Sequence, residues 1–237
     1  MKKIIEHLKI EWHKYIFDTI VVIVGILIAF SLNNWNETRK NNIREQEYLT
    51  SIKEEIKNDS LFLESTWFKN FVKKINTLER TKRYILGTYI PKDTIQFIND
   101  AGYGGIYSRA SFIGTSKIYK ELLNTGNLSL ISSSDIRNQI IEYYDRQEFI
   151  INYANNIRTE YATYMNSVKP YNPKSQDINR LEIPRMLAMI KTEEYHSLIN
   201  QELSFAYTIN RHLEIIKSLS HKLHYNIEEF LKNKDSN

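Results

Sequence analysis

The sequence contains no cysteine, and it has only seven glycines and four prolines in 237 residues. Without cysteine the chain forms no disulfide, no thiolate nucleophile and no cysteine-ligated metal site. So few glycines and prolines leave little material for the turns of a many-stranded β fold, and long helices are therefore expected. The GxGxxG, Walker, GxSxG and HExxH patterns and a carboxylate-rich calcium loop are also absent. We therefore expect no cofactor and no enzymatic activity.

Charge is mixed along the chain. Thirty-two lysines and arginines face 28 aspartates and glutamates, which gives a formal net charge of +4. This excess is too small to indicate nucleic-acid binding, so we expect no nucleic-acid partner. The mean hydropathy of −0.46 is that of a largely polar protein.

Against this polar background, residues 16–32 form one concentrated apolar run, IFDTIVVIVGILIAFSL. Its apolar side chains favour insertion into a membrane by about 4 to 7 kcal/mol, whereas Asp18 opposes insertion by at most about 3 kcal/mol. As a helix, residues 15–32 would span about 27 Å, close to the thickness of a bilayer core. Trp12 and Trp35 lie about 35 Å apart on that helix, a spacing that suits two interfacial anchors.

Two other interpretations of this run remain open. A buried core helix can be equally apolar, and Ala29-Phe30-Ser31 resembles a signal-peptide cleavage site. The flanking tryptophans and the acidic residues before the run favour an uncleaved membrane anchor over both. Lysines 2, 3, 9 and 14 before the run and basic residues 39, 40 and 44 after it give a slight charge bias toward a cytoplasmic N-terminus.

These features predict three segments. Residues 1–14 form an amphipathic cytoplasmic segment, residues 15–36 a transmembrane helix, and residues 37–237 an extracytoplasmic helical bundle. Gly25 and Ala29 form a small-xxx-small pair that would let two such helices approach closely. The residues predicted to form the membrane anchor and its interfaces are Trp12, Asp18, Gly25, Ala29, Asn33, Asn34, Trp35 and Asn36.

The stretch GILIAFSLNNWNE, followed by the charged stretch RKNNIREQEYLTSIKEEIKND, resembles an uncharacterised family of single-span membrane proteins from Bacteroidota. A second stretch, YKELLNTGNLSLISSSDIRNQIIEYYD, is similar to that family's middle motif. The acidic residue usual before the span is present as Asp18, but Phe17 replaces a small residue and Ser31 a common Gln. The resemblance implies a cytoplasmic N-terminus and a helical domain beyond the membrane. It implies no activity.

The rest of the chain has helical periodicity. Apolar residues recur at spacings of three, four or seven over residues 39–86, 136–168 and 192–232. Gly87 is expected to end the first of these helices, Ser132–Ser134 to cap the second and Thr192 to cap the last. Three long helices with apolar stripes need one another as a core. We therefore predict an all-α fold in which a transmembrane helix continues into an elongated antiparallel helical bundle.

Most charged residues and tyrosines of the predicted helices are expected at or near the surface of the bundle. Glu45, Glu54, Glu55 and the neighbouring lysines are expected on a solvated face. Tyr143, Tyr144, Tyr153, Tyr161 and Tyr164 are expected at the core edge, with their hydroxyls in water. Residues 58–60 are a possible kink or break in the helix predicted over residues 39–86. Residues 88–109 have the least regular pattern, and we expect there a loop that lines a groove with Tyr103 and Tyr107.

His221, His224 and Glu228 fall on neighbouring positions of the last helix and form a possible metal-binding face. The chain lacks the repeated Glu-x-x-His pairs of di-iron bundles, so we favour a solvated face and expect no metal.

Three functions compete at this point. The first is a non-enzymatic membrane-anchored interaction or scaffold protein, bound to the lipid bilayer and associated as a homo-oligomer or with other envelope proteins of the bacterial inner membrane. The second is an extracytoplasmic sensor or ligand-binding bundle that signals through a partner. The third, a metal-dependent enzyme, requires the histidines to converge with acids from another helix.

Overall fold

The computed structural model describes residues 2–106, 114–156, 160–175 and 177–235. Over these ranges it describes the side chains as well, except those of residues 2–15, 103–106, 154–156, 162, 166 and 235. Contacts within the chain divide it into two units, residues 1–48 and residues 49–237. The first unit consists of the larger part of one long helix.

Helices dominate the described residues, which confirms the predicted all-α fold. The α-helices are α1 (Lys2–Phe62), α2 (Phe68–Ile85), α3 (Thr94–Ile106), α4 (Lys117–Thr125), α5 (Ser134–Asn156), α6 (Tyr161–Val168), α7 (Ile183–Ile190) and α8 (Glu193–Asp235). Single 3-10 turns occur at Asn127–Leu130 and Arg180–Glu182. No strand occurs in these described ranges, where the only β-pairing is an isolated bridge between Tyr171 and Ile178.

Helix α8 runs antiparallel to both α2 and α5. Phe68, at the start of α2, lies beside Lys217 of α8, whereas Lys82, near the end of α2, bonds to Asn200, which lies earlier in α8. Contacts of α5 move back along α8 in the same way, since Gln139 bonds to Asn226 whereas Tyr153 stacks on Phe205. Helices α2 and α5 therefore run in the same direction, with α8 antiparallel to each, as the predicted antiparallel bundle requires.

The predicted apolar stripes form the core of residues 49–237. Burial of these side chains removes apolar surface from water, which is the main favourable term in the folding of such a bundle. Residues from all three stripes are buried: Leu49, Ile52, Ile56, Leu63, Phe71 and Leu78, then Ile136, Ile140 and Tyr144, then Ile199, Leu203, Ala206, Leu213, Ile216, Leu223 and Ile227.

The predicted helix ends are largely observed. Helix α2 ends in a Schellman motif, in which the N–H groups of Gly87 and Thr88 donate to Tyr84 O and Arg83 O and Gly87 has φ of 72°. Ser133 Oγ accepts a hydrogen bond from Ile136 N before α5, and Thr192 Oγ1 accepts one from Tyr195 N at the start of α8.

Three local predictions were wrong. Residues 58–60 lie inside α1, and the irregularity falls instead at a π-helical turn, Leu63–Trp67, between α1 and α2. Residues 88–109 were predicted to form a loop, but they contain the helix α3. This helix forms because Asp93 accepts a hydrogen bond from Gln96 N at its start and because Phe97 and Ile98 are buried in the core. Glu160 lies outside any helix, so α5 and α6 are two helices where one was predicted.

An ion pair lies at the centre of the α2–α8 interface. Lys74 Nζ and a carboxylate oxygen of Glu202 form a salt bridge, and both side chains are 0% exposed. The Lys74 ammonium also lies 5.7 Å and 5.3 Å from the ring centroids of Phe71 and Phe205. Burial lowers the pKa of Lys74, and the carboxylate of Glu202 opposes that shift. Each of the two buried charges therefore offsets part of the free-energy cost of removing the other from water.

Replacing only one of these two residues should be far more damaging than replacing both. Lys74→Met leaves Glu202 buried without its cation, and we expect the free energy of unfolding to fall by about 3 to 5 kcal/mol. The double variant Lys74→Met/Glu202→Met removes both charges and should recover most of that loss. Urea denaturation of the full chain in detergent, followed by circular dichroism, measures both effects. Equal losses for the single and double variants would contradict this account.

Candidate functional site

The most unusual surface of the molecule is the apolar segment of α1. Thirteen large apolar side chains between Ile16 and Trp35 are 46% to 66% exposed. An 18-residue window here has a mean hydropathy of 2.3, and none of it is buried in the structure. By length and composition, this is the one helix in the described residues that is suited to cross a membrane. A contiguous apolar surface of this size marks contact with lipid or with another protein.

The predicted anchor residues lie on this exposed helix. Asp18, Ala29, Asn34 and Asn36 are all exposed. Apart from its two neighbours in the chain and the adjacent backbone of its own helix, no atom lies within 4 Å of the position that a Cβ would occupy at Gly25, so a second helix has room to approach there.

Two further anchor residues mark the end of the apolar run. Asn33 Nδ2 donates to Glu37 Oε1 over 3.4 Å, and Trp35 is 65% exposed. The side chain of Trp12 lies outside the described residues. The roles of all these residues as anchors remain predictions.

A second site joins α1 to α4 through two buried carboxylates. Glu55 and Asp59 lie one turn apart on α1 and are only 8% and 5% exposed. Oxygens of Glu55 accept hydrogen bonds from Lys117 N and Ile118 N at 3.0 and 3.3 Å. These N–H groups open α4, and no side-chain cap is supplied from Ser116 itself. The Glu55 carboxylate thus satisfies two donors that a helix start leaves without an intrahelical partner.

Asp59 extends this contact to α5. Both of its oxygens accept from Thr115 N at 3.1 Å, and Oδ2 also accepts from Gln147 Nε2 at 2.8 Å and Tyr143 Oη at 3.3 Å. Gln147 packs so closely against the chain before α4 that a Cβ at Gly114 would lie 2.5 Å from its Nε2 atom. We call Glu55 and Asp59, with these partners, the carboxylate pair.

Burial raises the pKa of both members of the carboxylate pair above their ordinary values of 4.5 and 3.8. Hydrogen bonds from the backbone N–H groups of Lys117 and Ile118 to Glu55, and of Thr115 to Asp59, oppose the shift, but desolvation is the larger cause for each carboxyl group. The prediction that Glu55 lies on a solvated face was therefore wrong, and it was wrong for Glu45 as well, which is 1% exposed. Its neighbour Glu54 does face water, where it pairs with Lys57 at 3.6 Å.

A third site is a groove between the C-terminal part of α1 and α8, with a cavity volume of about 510 Å³. Its lining is Lys53, Glu54, Ile56, Lys57, Ser60, Leu61, Glu64, Ser220, His221, His224 and Glu228. Glu64 comes from the π-helical turn, and its Oε1 lies 3.2 Å from Lys217 Nζ and 3.4 Å from His221 Nε2. Single π-helical turns occur frequently at functional sites.

The structure brings the possible metal-binding residues His221, His224 and Glu228 into this groove, together with Glu64. Among the described residues, however, no three histidine, aspartate or glutamate side chains are placed to hold a metal ion. Glu228 is engaged by Lys232 at 3.0 Å, and this cation lowers its pKa. His212 lies elsewhere on α8, against the ring of Phe149 at a centroid distance of 4.7 Å.

Three of the five tyrosines predicted at the core edge are more deeply buried than that, whereas Tyr153 and Tyr164 are half-buried. Tyr143, Tyr144 and Tyr161 are 0% to 3% exposed, so their hydroxyls do not lie in water. Tyr161 Oη donates to Ala101 O at 2.7 Å and lies 2.9 Å from Tyr195 Oη. Burial raises the pKa of Tyr161 well above its ordinary value. The predicted groove at Tyr103 and Tyr107 falls on side chains outside the described residues.

Glu55, Asp59, Lys74 and Glu202 were missed by sequence reasoning, although a signal for three of them was present. Asp59 lies three residues after Ile56 and four before Leu63, and Lys74 lies three after Phe71 and four before Leu78. Both occupy core positions of an apolar stripe, as Glu202 does on α8. A charged residue at such a position indicates a buried polar contact.

The fold and the exposed segment together define an all-helical protein with one candidate membrane-spanning helix. Residues 18–203 match a family of unknown function, DUF6090. The match covers well over half of the chain, and the chain therefore belongs to this family. The matched region includes the apolar segment from Asp18 onward, the carboxylate pair and both stretches that carry the sequence resemblance. No curated protein and no solved structure matches the chain.

The carboxylate pair predicts a specific dependence of stability on pH. Because folding raises both pKa values, the native state favours the protonated carboxyl groups, and their contribution to stability is lost as the pH rises through the raised values. The melting temperature of wild type relative to Glu55→Gln/Asp59→Asn should therefore fall between about pH 4 and pH 7.

Circular dichroism of the full chain in detergent measures this difference. The variant Glu54→Gln, which removes an exposed carboxylate one residue away, is the matched control. A difference between wild type and the double variant that stays constant or grows over this pH range would show that burial does not control these carboxyl groups.

Proposed function

We propose that this protein is a non-enzymatic, membrane-anchored helical interaction module that acts as a scaffold or accessory subunit in a bacterial cell envelope. The observation that carries this proposal is the exposure of the entire apolar surface of residues 16–32. Leaving that surface in water is unfavourable, and a bilayer supplies an apolar environment of matching thickness.

The proposed location is the bacterial inner membrane, with the N-terminus in the cytoplasm and residues 49–237 in the periplasm. We call residues 49–237 the helical unit. The slight excess of basic residues before the span supports this orientation. The resemblance of the GILIA and NNWNE motifs to single-span proteins of Bacteroidota supports the membrane and the kind of organism. Trp35 and the three asparagines around it suit the point at which the chain leaves lipid.

We further propose that the module forms homo-oligomers, with the spanning helix as one contact. Asp18, Gly25, Ala29 and Asn36 follow one another at intervals of seven, four and seven residues, which places them on one face of α1. In lipid, helices associate through small residues that permit close approach and through polar residues that bond across the interface. This face carries both kinds of residue.

A sensor or ligand-binding role is the alternative, and the groove between α1 and α8 favours it. Two imidazoles and three carboxylates line that groove beside exposed Leu61, which is 59% exposed. Polar groups beside apolar surface in a concave site are typical of ligand pockets. In this alternative, the helical unit binds a small polar ligand and signals through a partner.

Gly25→Leu tests the proposed association. The added side chain blocks close approach of two helices at this face, so co-purification of two differently tagged copies from nanodiscs should fall at least about fivefold. Ile23→Leu changes a residue on the opposite face, keeps the apolar character and serves as the matched control. Equal co-purification of wild type and Gly25→Leu would remove this helix face from the proposal, and wild-type copies that never co-purify would contradict a homo-oligomer.

A further inference from the structure

Helix α2 presents a basic outer face. It contains six lysines and arginines, of which only Lys74 is fully buried, in its ion pair with Glu202, and a single acidic residue, Glu79. Lys69, Lys73 and Arg83 are exposed and line one shallow groove along the helix together with Val72, Asn76, Glu79 and Arg80. We call this set the α2 face. Glu79 offsets one positive charge of this face and Asp100 pairs with Arg80 at 3.1 Å, so the remaining positive charge comes from Lys69, Lys73 and Arg83.

Helix α5 presents an acidic outer face of similar form. Glu142 and Asp145 are exposed and line a shallow groove with Asn138, Ile141, Arg146 and Phe149. We call this set the α5 face. Arg146 lies over the ring of Phe149 at 5.8 Å and offsets one of the two negative charges, so the α5 face keeps an excess of one negative charge. Each face also exposes apolar surface, since Val72 is 46% and Phe149 45% exposed.

We propose that the α2 face of one copy of this chain binds the α5 face of a second copy. The inference rests on the proposed function, because it names the surface through which the helical units of a homo-oligomer would meet. Opposite charge on the two faces gives the contact its specificity, and the apolar residues give it surface that is removed from water.

The direction of the helices suits this pairing. Helices α2 and α5 run in the same direction within the helical unit, since α8 is antiparallel to each. When two copies stand side by side in the same orientation, as in one membrane, α2 of one copy is parallel to α5 of the other. Lys69 and Lys73, four residues apart, then face Glu142 and Asp145, three residues apart, which are spacings of about one turn on each helix.

Such a pairing is heterologous: each copy uses a different face toward each neighbour. One copy therefore keeps a free α5 face and its neighbour a free α2 face, so the contact extends into a row or closes into a ring. This geometry suits a scaffold in the plane of a membrane.

The test is a crosslinking experiment with reversed charges in full-length chains in nanodiscs. One tagged copy carries Asn76→Cys on the α2 face, and a second, differently tagged copy carries Asn138→Cys in the α5 face. Because the chain has no other cysteine, a bismaleimide reagent reacts only at the introduced positions, and a product of two identical variants carries only one kind of tag. The crosslinked product that carries both tags is measured, so contact between the spanning helices alone does not give the signal.

We expect Lys69→Glu/Lys73→Glu in the first copy to lower the crosslinked product at least about tenfold, and Glu142→Lys/Asp145→Lys in the second copy to do the same. Combining the two reversals should restore the product to within about twofold of the original pair. Lys92→Glu/Lys174→Glu, at two exposed lysines outside the α2 face, makes the same change in net charge and should have no effect.

The outcomes separate the two proposals. Reversals without effect, or a loss that the combined reversal does not restore, overturn this inference, and in the second case the faces bind other partners. If crosslinking is insensitive to the reversals while Gly25→Leu still lowers co-purification, the proposed homo-oligomer stands and only the α2–α5 contact fails. If wild-type copies neither crosslink nor co-purify, the homo-oligomer and this inference fail together. Circular dichroism of each variant verifies that it is folded.

Discussion

The apolar segment of α1 imposes the main physical constraint on this protein. Its large side chains between Ile16 and Leu32 are exposed to about half or more of their full extent, and burying such surface is the dominant favourable term in folding and association. The described remainder of the chain does not cover them. An environment outside the chain must therefore do so, and the length of the segment matches a lipid bilayer better than a single protein partner.

The helical unit depends on a different balance, because several of its core positions carry polar groups. Lys74 and Glu202 form a buried ion pair between α2 and α8, and the carboxylate pair fixes the start of α4 against α1 and α5. A core made only of apolar residues would tolerate sliding of these helices past one another more readily. Hydrogen-bonded charges are satisfied in only one arrangement, so we interpret them as determinants of the register between helices.

Much of this architecture follows from apolar periodicity. The stripes on α2, α5 and α8 predict the three long helices, their buried residues and most of their ends, because Gly87, Ser133 and Thr192 act locally in sequence. The helix at residues 94–106 could not be predicted in this way. It depends on packing of Phe97 and Ile98 against distant residues, which outweighs the local cost of its glycines.

The polar contacts were harder to predict for the same reason. Asp59 and Lys74 stand at core positions of their stripes, so their burial could be inferred from spacing, but their partners Gln147 and Glu202 lie far away in the sequence. Glu55 gives no such signal, because its role depends on the placement of α4 beside α1. The groove at His221 likewise depends on the π-helical turn that brings Glu64 to α8, and no residue type in that turn predicts a π-helical turn from the sequence.

The central claim is that residues 15–36 cross a bilayer, and the absence of cysteine permits a direct measurement. Single cysteines at Lys3→Cys and Lys234→Cys would be exposed to a membrane-impermeant maleimide in intact spheroplasts. We expect the second to be labelled before lysis and the first only after lysis. Labelling of both positions only after lysis, with the protein released in soluble form, would contradict a membrane-spanning anchor.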